Sequence, residues 1–263
     1  MRLIPSPPGV IRNGQIIYNG ENLLELSKEK MQTIRGKEIS LIFQDPMTSL
    51  NPVMTVGEQI AEAMVAHQKL SAKEAEKKAT EMLELVGIQP ERYGDYPHHF
   101  SGGMKQRVVI AIALSCNPKV LIADEPTTAL DVTIQAQILE MLQDLRRKFN
   151  TSLILITHDL GVVAHNCEQV AVIYAGEIVE YGKVSWVYKH MLHPYTIGLF
   201  SSIPDLNKDV RRLTPIEGLM PDPMDLPKGC KFCTRCPHAQ DICYEQHPEM
   251  TEVSEGHMVR CFI

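Results

Sequence analysis

Three short stretches place polar or ionisable side chains directly after apolar runs. Val120–Ala123 ends in Asp124 and Glu125, Ser152–Ile156 ends in Thr157, His158 and Asp159, and Ile39–Phe43 ends in Gln44. Charge is costly inside an apolar strand, so an acid at the strand's end must be paired with a cation or put to use. In an α/β sheet the carboxyl ends of the strands are also where ligands bind. Asp124 suits Mg²⁺ held through water, Glu125 a nucleophilic water, and Gln44 either of them, while His158 adds an imidazole to the same edge. Together they form the outfit for Mg²⁺-assisted phosphoryl transfer to water. Taken singly, each has a plainer reading, since acids often cap loops and a lone histidine is more often structural.

A fourth stretch, FSGGMKQR at Phe100–Arg107, sets Ser101, Gly102 and Gly103 at the head of a helical run. Unpaired N–H groups and the positive end of the helix dipole make such a start an anion site. Five of the seven cysteines fall within the last 34 residues: Cys230, Cys233, Cys236, Cys243 and Cys261. Cys116 and Cys167 stand alone among apolar neighbours and read as packing residues. Thiolates as dense as those of the tail stay reduced in a cytoplasmic protein unless a metal holds them. Their spacing permits tetrahedral zinc, with His238 or His247 replacing one sulfur, or an iron–sulfur cluster. A metal-free thiol tail packed on the sheet is the plain alternative.

The elements that must carry these residues alternate. Strands are predicted within Asn13–Gly20 and over Ile39–Phe43, Val120–Ala123, Ser152–Ile156, Val170–Tyr174 and Glu177–Glu180. Helices are predicted over Val56–His67, from the capping box of Ser71 and Glu74 to Gly87, and over Met104–Leu114, Thr133–Lys148 and Gly161–His165. Continuously apolar strands between amphipathic helices indicate an α/β fold with a mostly parallel sheet covered on both faces. The passage from Asn207 to Gly229 reads as an extended, proline-rich linker.

The chain has 263 residues, 44% hydrophobic and 22% charged, with a net charge of −6. That length suits one substantial domain with a smaller appendage. The acidic balance gives no reason to expect nucleic acid. No apolar run approaches the length of a membrane span, and residues 1–14 lack the apolar core of a secretory signal.

The ordered motifs resemble the ATP-binding subunit of an ATP-binding-cassette (ABC) transporter, and in particular of the oligopeptide/dipeptide importers. FSGGMKQR is similar to the cassette signature, commonly LSGGQ, with Phe100 and Met104 as departures. Gln44 in IFQDP resembles the Q-loop, and Asp124 and Glu125 in LIADEP the magnesium aspartate and general-base glutamate. ALD at Ala129–Asp131 resembles the D-loop, and His158 the switch histidine. IFQDPMTSLNP, HPYTIGL and the GC-x-F-x-x-RCP ending narrow the likeness to peptide importers.

The resemblance implies a P-loop NTPase-like cassette over residues 1–190, with a helical signature subdomain at about 50–110 and a Cys-rich extension over 191–263. It implies ATP and Mg²⁺, bound between this chain and a second ATP-binding subunit. Gln44, Asp124, Glu125, Asp131 and His158 would serve one side and Ser101, Gly102 and Gly103 the other. The implied partners are two transmembrane permease subunits and, indirectly, an extracytoplasmic peptide-binding protein, with the chain on the cytoplasmic face of the cell membrane. Some members resemble the tail through four cysteines associated with a [4Fe-4S] cluster. They match Cys230, Cys236, Cys243 and Cys261 and leave Cys233 spare, with Zn²⁺ as the alternative.

A phosphate-binding loop, G-x-x-x-x-G-K-S/T, is missing from the sequence. Gly36–Lys37 is followed by Glu38 and Gly182–Lys183 by Val184. Family members carry that loop upstream of the stretch matching residues 1–14, so the sequence reads as N-terminally truncated, and an exposed apolar sheet edge and face are expected. By itself such a chain is expected not to hydrolyse ATP. The alternative is a non-catalytic subunit that lends its signature to an intact paralogue.

Overall fold

The computed structural model describes residues 1–128, 130–203 and 215–262, which form two compact units, Met1–His158 and Asp159–Ile263. The expected domain boundary at 190 differs from this division by compactness. Ala129 and residues 204–214, which include the start of the linker, lie outside the described residues.

In the first unit, β1 (Ile17–Tyr18) lies within residues 13–20, where a short strand is predicted, and forms a hairpin with β2 (Glu21–Asn22). Asn19 and Gly20, with φ of +50° and +81°, make its two-residue turn. Helix α1 (Lys28–Ile34) follows, capped by the Ser27 side chain. β3 (Ile39–Ile42) leads into the single turn α2 (Pro46–Ser49). Two helices then pack together, α3 (Val56–Gln68) and α4 (Ala72–Leu85), each opened by a capping box: Thr55 with Glu58, and Ser71 with Glu74.

The 3₁₀ turns Pro90–Gly94 and Pro97–His99 lead to α5 (Gly102–Leu114). β4 (Val120–Asp124), α6 (Val132–Phe149) and β5 (Ser152–Ile156) complete the unit. β3, β4 and β5 lie parallel in that order, with Ile39 beside Val120 and Asp124 beside Ile156. On one face of β3 and β4, Ile39 joins Leu23, Met31 and Ile34, with Val120 and Ile122 packed against them. On the other, Ile42, Leu121 and Ala123 join the core formed with α3, α4, α5 and α6. Covering on both faces stops at β5, where Ile154 and Ile156 are 53% and 48% exposed. The expected exposed apolar face therefore lies on β5.

The second unit departs further from a parallel sheet. It contains α7 (Leu160–Asn166), β6 (Gln169–Tyr174), β7 (Glu177–Lys183), α8 (Val184–Val187), α9 (Pro194–Ser201), α10 (Asp241–Glu245), β8 (Thr251–Ser254) and β9 (His257–Val259). The predicted strands at Val170–Tyr174 and Glu177–Glu180 form an antiparallel hairpin and join β9 and β8 in a four-stranded sheet. Ala175 and Gly176, both at positive φ, turn the chain back too tightly for a parallel crossover. Tyr174 and Phe232 meet edge to face in this unit's core, with ring centroids 5.1 Å apart. No helix among the described residues is long and apolar enough to cross a membrane.

Candidate functional site

Parallel register brings the ends of β3, β4 and β5 to one edge, and Gln44, Glu125 and His158 meet there. Gln44 Nε2 donates to Glu125 Oε2 at 2.9 Å, and His158 Nδ1 lies 3.1 Å from Oε1. Thr128 Oγ1 donates to Oε2 at 2.8 Å. These contacts hold the Glu125 carboxyl below the usual carboxylate range, with the Thr128 hydrogen bond as the largest cause and the His158 bond next. An ionised carboxylate only accepts, so Nδ1 of His158 carries the proton and Nε2 points elsewhere. A carboxylate offers about four acceptor positions, and Gln44, Thr128 and His158 occupy three.

Backbone geometry aims the carboxylate. Glu125 has φ of +44°, a left-handed conformation uncommon for a side chain of its size. Its N–H donates to Ile156 O at 2.9 Å, which ties the turn to the end of β5. Asp124 ends β4, half-buried, beside that carboxylate in sequence.

Asp131 serves as the N-cap of α6, its side chain accepting from Ile134 N. Ser101 does the same for α5, accepting from Met104 N. The two glycines behind Ser101 differ. A Cβ on Gly103 would fall 2.7 Å from Ile134 Cγ2, whereas one on Gly102 would make ordinary contact with Leu130 at 3.7 Å. Gly103 therefore lets α5 approach α6, and a bulky residue there would disturb the fold. At Gly102 a single methyl group meets no such overlap.

In the second unit, Cys230, Cys233, Cys236, Cys243 and Cys261 all line one small apolar cavity with His193, Phe232 and Phe262. Cys233 and Cys243 are 1% and 6% exposed, and all five thiols are free. Burial pushes the Cys230 thiol up to about 11, with the neighbouring cysteines adding to the rise. Among the described residues, no three His, Cys, Asp or Glu side chains stand closely enough to hold a metal ion. His247 is engaged elsewhere, with Nε2 2.8 Å from Glu177 Oε2, and neither it nor His238 lines the cavity.

The wall of this cavity is pinned by Gly229 and Glu180. A Cβ on Gly229 would lie 2.2 Å from the Cys243 carbonyl oxygen, which accepts from Cys230 N at 2.8 Å. Glu180, fully buried, accepts from Leu192 N, His193 N and His257 Nε2. Burial drives His193 down to about 4, partly countered by Glu180, so the imidazole is neutral near pH 7.

Sequence reasoning missed Thr128, Glu180 and His193. The first had a signal, a hydroxyl three residues after the acid in a turn. The other two lie far from the cysteines along the chain, and no local pattern links them.

Residues 5–128 match the ABC transporter family model, and residues 179–243 match the oligopeptide/dipeptide transporter C-terminal region. The oligopeptide transport ATP-binding protein OppD of Bacillus subtilis is 55% identical over 266 residues, covering 100% of this chain and 74% of that protein. The dipeptide transport ATP-binding protein DppD of the same organism is 50% identical over 265 residues, covering 100% of this chain and 79% of that protein. Among solved structures, the ATP-binding cassette MJ0796 in a dimeric post-hydrolysis state bound to ADP and Pi superposes with a TM-score of 0.59. It is 27% identical and covers 66% of this chain and 74% of that one. The three strand-end residues, the serine–glycine helix start and these matches agree: the chain belongs to the ATP-binding subunits of ABC transporters, in the oligopeptide/dipeptide importer family.

Proposed function

We propose that this chain serves a peptide importer as half of a composite ATP site, with the hydrolytic groups Gln44, Glu125 and His158 on one side and Ser101–Gly103 offered to a second subunit's nucleotide. The observation that carries the reading is the meeting of Gln44, Glu125 and His158 on one carboxylate at the ends of three parallel strands. Glu125, kept ionised, has one acceptor position left for the proton of an attacking water. Gln44 orients that water from the neighbouring strand end, and His158 turns its Nε2 toward the γ-phosphate. Asp124 is the residue that would hold Mg²⁺ through water, and the ion would supply charge shielding for the phosphates. Asp131, fixed by its cap on α6, faces the dimer partner.

Ser101 N–H and the first N–H groups of α5 meet the phosphates of nucleotide held by the second subunit. Two permease subunits and, through them, an extracytoplasmic peptide-binding protein complete the assembly on the cytoplasmic face of the membrane. The names of the relatives support peptides as the cargo. Nucleic acid has no part in it.

The 263 residues contain no G-x-x-x-x-G-K-S/T stretch, and by themselves they are expected not to hydrolyse ATP. The Ser101-capped start of α5 also fits a second reading, in which the chain lends Ser101–Gly103 to an intact paralogue without turning over ATP in its own half. Hydrolysis measured on the purified chain, and on the chain assembled with a paralogous subunit, tests both. The first reading expects turnover only in an assembly that supplies a phosphate loop to Glu125, lost about 10²–10⁴-fold in Glu125→Gln. Turnover in the assembly that Glu125→Gln leaves unchanged favours the second. Turnover by the isolated chain that vanishes in Glu125→Gln overturns both.

For the cysteines, the reading is a structural [4Fe-4S] cluster held by Cys230, Cys236, Cys243 and Cys261, with Zn²⁺ as the competing occupant. Convergence of the thiols on one small apolar cavity supports it. When bound, the cluster would fasten a tail with few apolar residues of its own.

A further inference from the structure

We propose that Arg92 is the positioning residue of the Ser101–Gly103 turn, an inference that rests on reading that turn as the half-site for a partner's nucleotide. Arg92 lies in the 3₁₀ turn Pro90–Gly94, nine residues before Ser101. Its guanidinium touches the chain on both sides of the turn. Nη2 donates to His99 O at 3.1 Å, and Cζ lies 4.0 Å from the centroid of the Phe100 ring. Beyond the glycines, Nη1 reaches Met104 Sδ at 3.5 Å. Nε is taken by Asp95 Oδ2 at 2.7 Å, which fixes the plane of the fork. Phe100 is 5% exposed, so the cation rests on a ring that cannot swing away.

The base from which Arg92 reaches is itself held. Val56 N, at the start of α3, donates to Asp95 O at 2.9 Å. Tyr93 lies so close to Gly57 that a Cβ there would fall 2.1 Å from its ring. Arg92 thus links a rigid turn on α3 to the carbonyl, ring and thioether that flank Ser101, Gly102 and Gly103. Three donors in one plane, stacked on a ring, is a task that lysine cannot reproduce. Phe100 and Met104 are the two positions where this chain departs from the common LSGGQ signature, and both touch this guanidinium.

Removing the fork would leave the phosphates in the partner's grip but misplace the N–H groups that act on them, a change seen in kcat more than in KM. The test uses this chain assembled with an intact paralogous subunit and two permease subunits in nanodiscs. Arg92→Gln is expected to lower kcat about tenfold or more with KM for ATP within about twofold. Arg92→Lys should recover only part of the rate. In a Phe100→Leu background the same Arg92→Gln change should cost less, because the two contacts act as one unit. Unchanged kcat overturns the proposal, as does strict additivity of the two substitutions. A rate loss that tracks a fall in melting temperature or in the amount of assembled complex also overturns it. Gly102→Ala separates the two levels. If it leaves activity intact, the half-site reading fails; if it abolishes activity while Arg92→Gln does nothing, only the role of Arg92 fails.

Discussion

The two candidate sites are built in opposite ways. At the strand ends, side chains meet in the open: the His158 side chain is 78% exposed and the Glu125 side chain 24%. Their order comes from parallel register and from a handful of hydrogen bonds on a single carboxylate. At the cysteine cavity, order comes from burial. Cys233, Cys243, Phe232 and His193 are each at most 6% exposed, and Gly229 has no room for a methyl group. An exposed site can be altered one atom at a time with little cost to the fold. A buried one cannot lose a wall residue without losing its shape. The first arrangement suits a surface that must meet a substrate and a partner, the second a structural fastening.

The largest effect expected from this contrast is at the cavity. Anaerobically purified chain should contain iron and sulfide, and Cys236→Ser should lose them completely while Cys233→Ser keeps them. One zinc and no iron would replace the cluster with Zn²⁺. Metal-free protein with an ordered cavity would leave five buried thiols as a packing core and remove the metal reading altogether. Loss of metal in Cys233→Ser with retention in Cys236→Ser would exchange the roles of the two, which both line the cavity.

A smaller effect separates the two glycines at the exposed site. Gly103→Ala should destabilise the fold by about 1–2 kcal/mol, because the new methyl overlaps Ile134 and either the isoleucine or the helix must give. Gly102→Ala meets only Leu130 at ordinary distance, so its stability should stay within about 0.5 kcal/mol while ATPase of the assembled complex falls. Urea unfolding of the chain together with the assembled rate measures both. Equal destabilisation by the two would show that the pair of glycines serves packing alone.

The same contrast governed how much could be read from the sequence. Gln44, Asp124, Glu125 and His158 were legible because each directly follows an apolar strand, and parallel register then carries them to one edge. The start of α4 was legible from the Ser71–Glu74 box, whereas α5 begins at Gly102, ahead of the predicted start at Met104. Helix α1 was not, because only Met31 and Ile34 of its seven residues are buried, too few to set a period. The hairpin of β6 and β7 passed for parallel strands because Ala-Gly lacks the Asn or Asp that marks a tight turn. In the tail, cysteine spacing pointed to a shared site, but the contributions of Glu180 and His193 depend on β7 and the start of α9 coming together. That is a tertiary fact with no local signature.

The smallest effect concerns the acid limb of the exposed site. Glu125 is held below its ordinary value of 4.5, and the Thr128 hydroxyl is the largest cause. The sign follows from linkage. A carboxyl whose folded value is lowered contributes stability above the unfolded carboxylate range, and that contribution fades as pH falls through the folded value. Near neutral pH the base is therefore already ionised, and a rate loss between pH 7 and 5 must come from another group. Thr128→Val removes the donor but keeps the shape of the side chain, so the Glu125 titration should move up toward 4.5 without passing it. Gln44 and His158 still contact the carboxylate, so the shift should be partial, and Thr128→Ser should restore the lower value. A ¹³C titration of the Glu125 carboxyl reads this directly on the isolated chain, independent of turnover. An unchanged titration in Thr128→Val would mean that His158 and Gln44 alone hold the charge. The three strand ends would then suffice without the turn that follows β4.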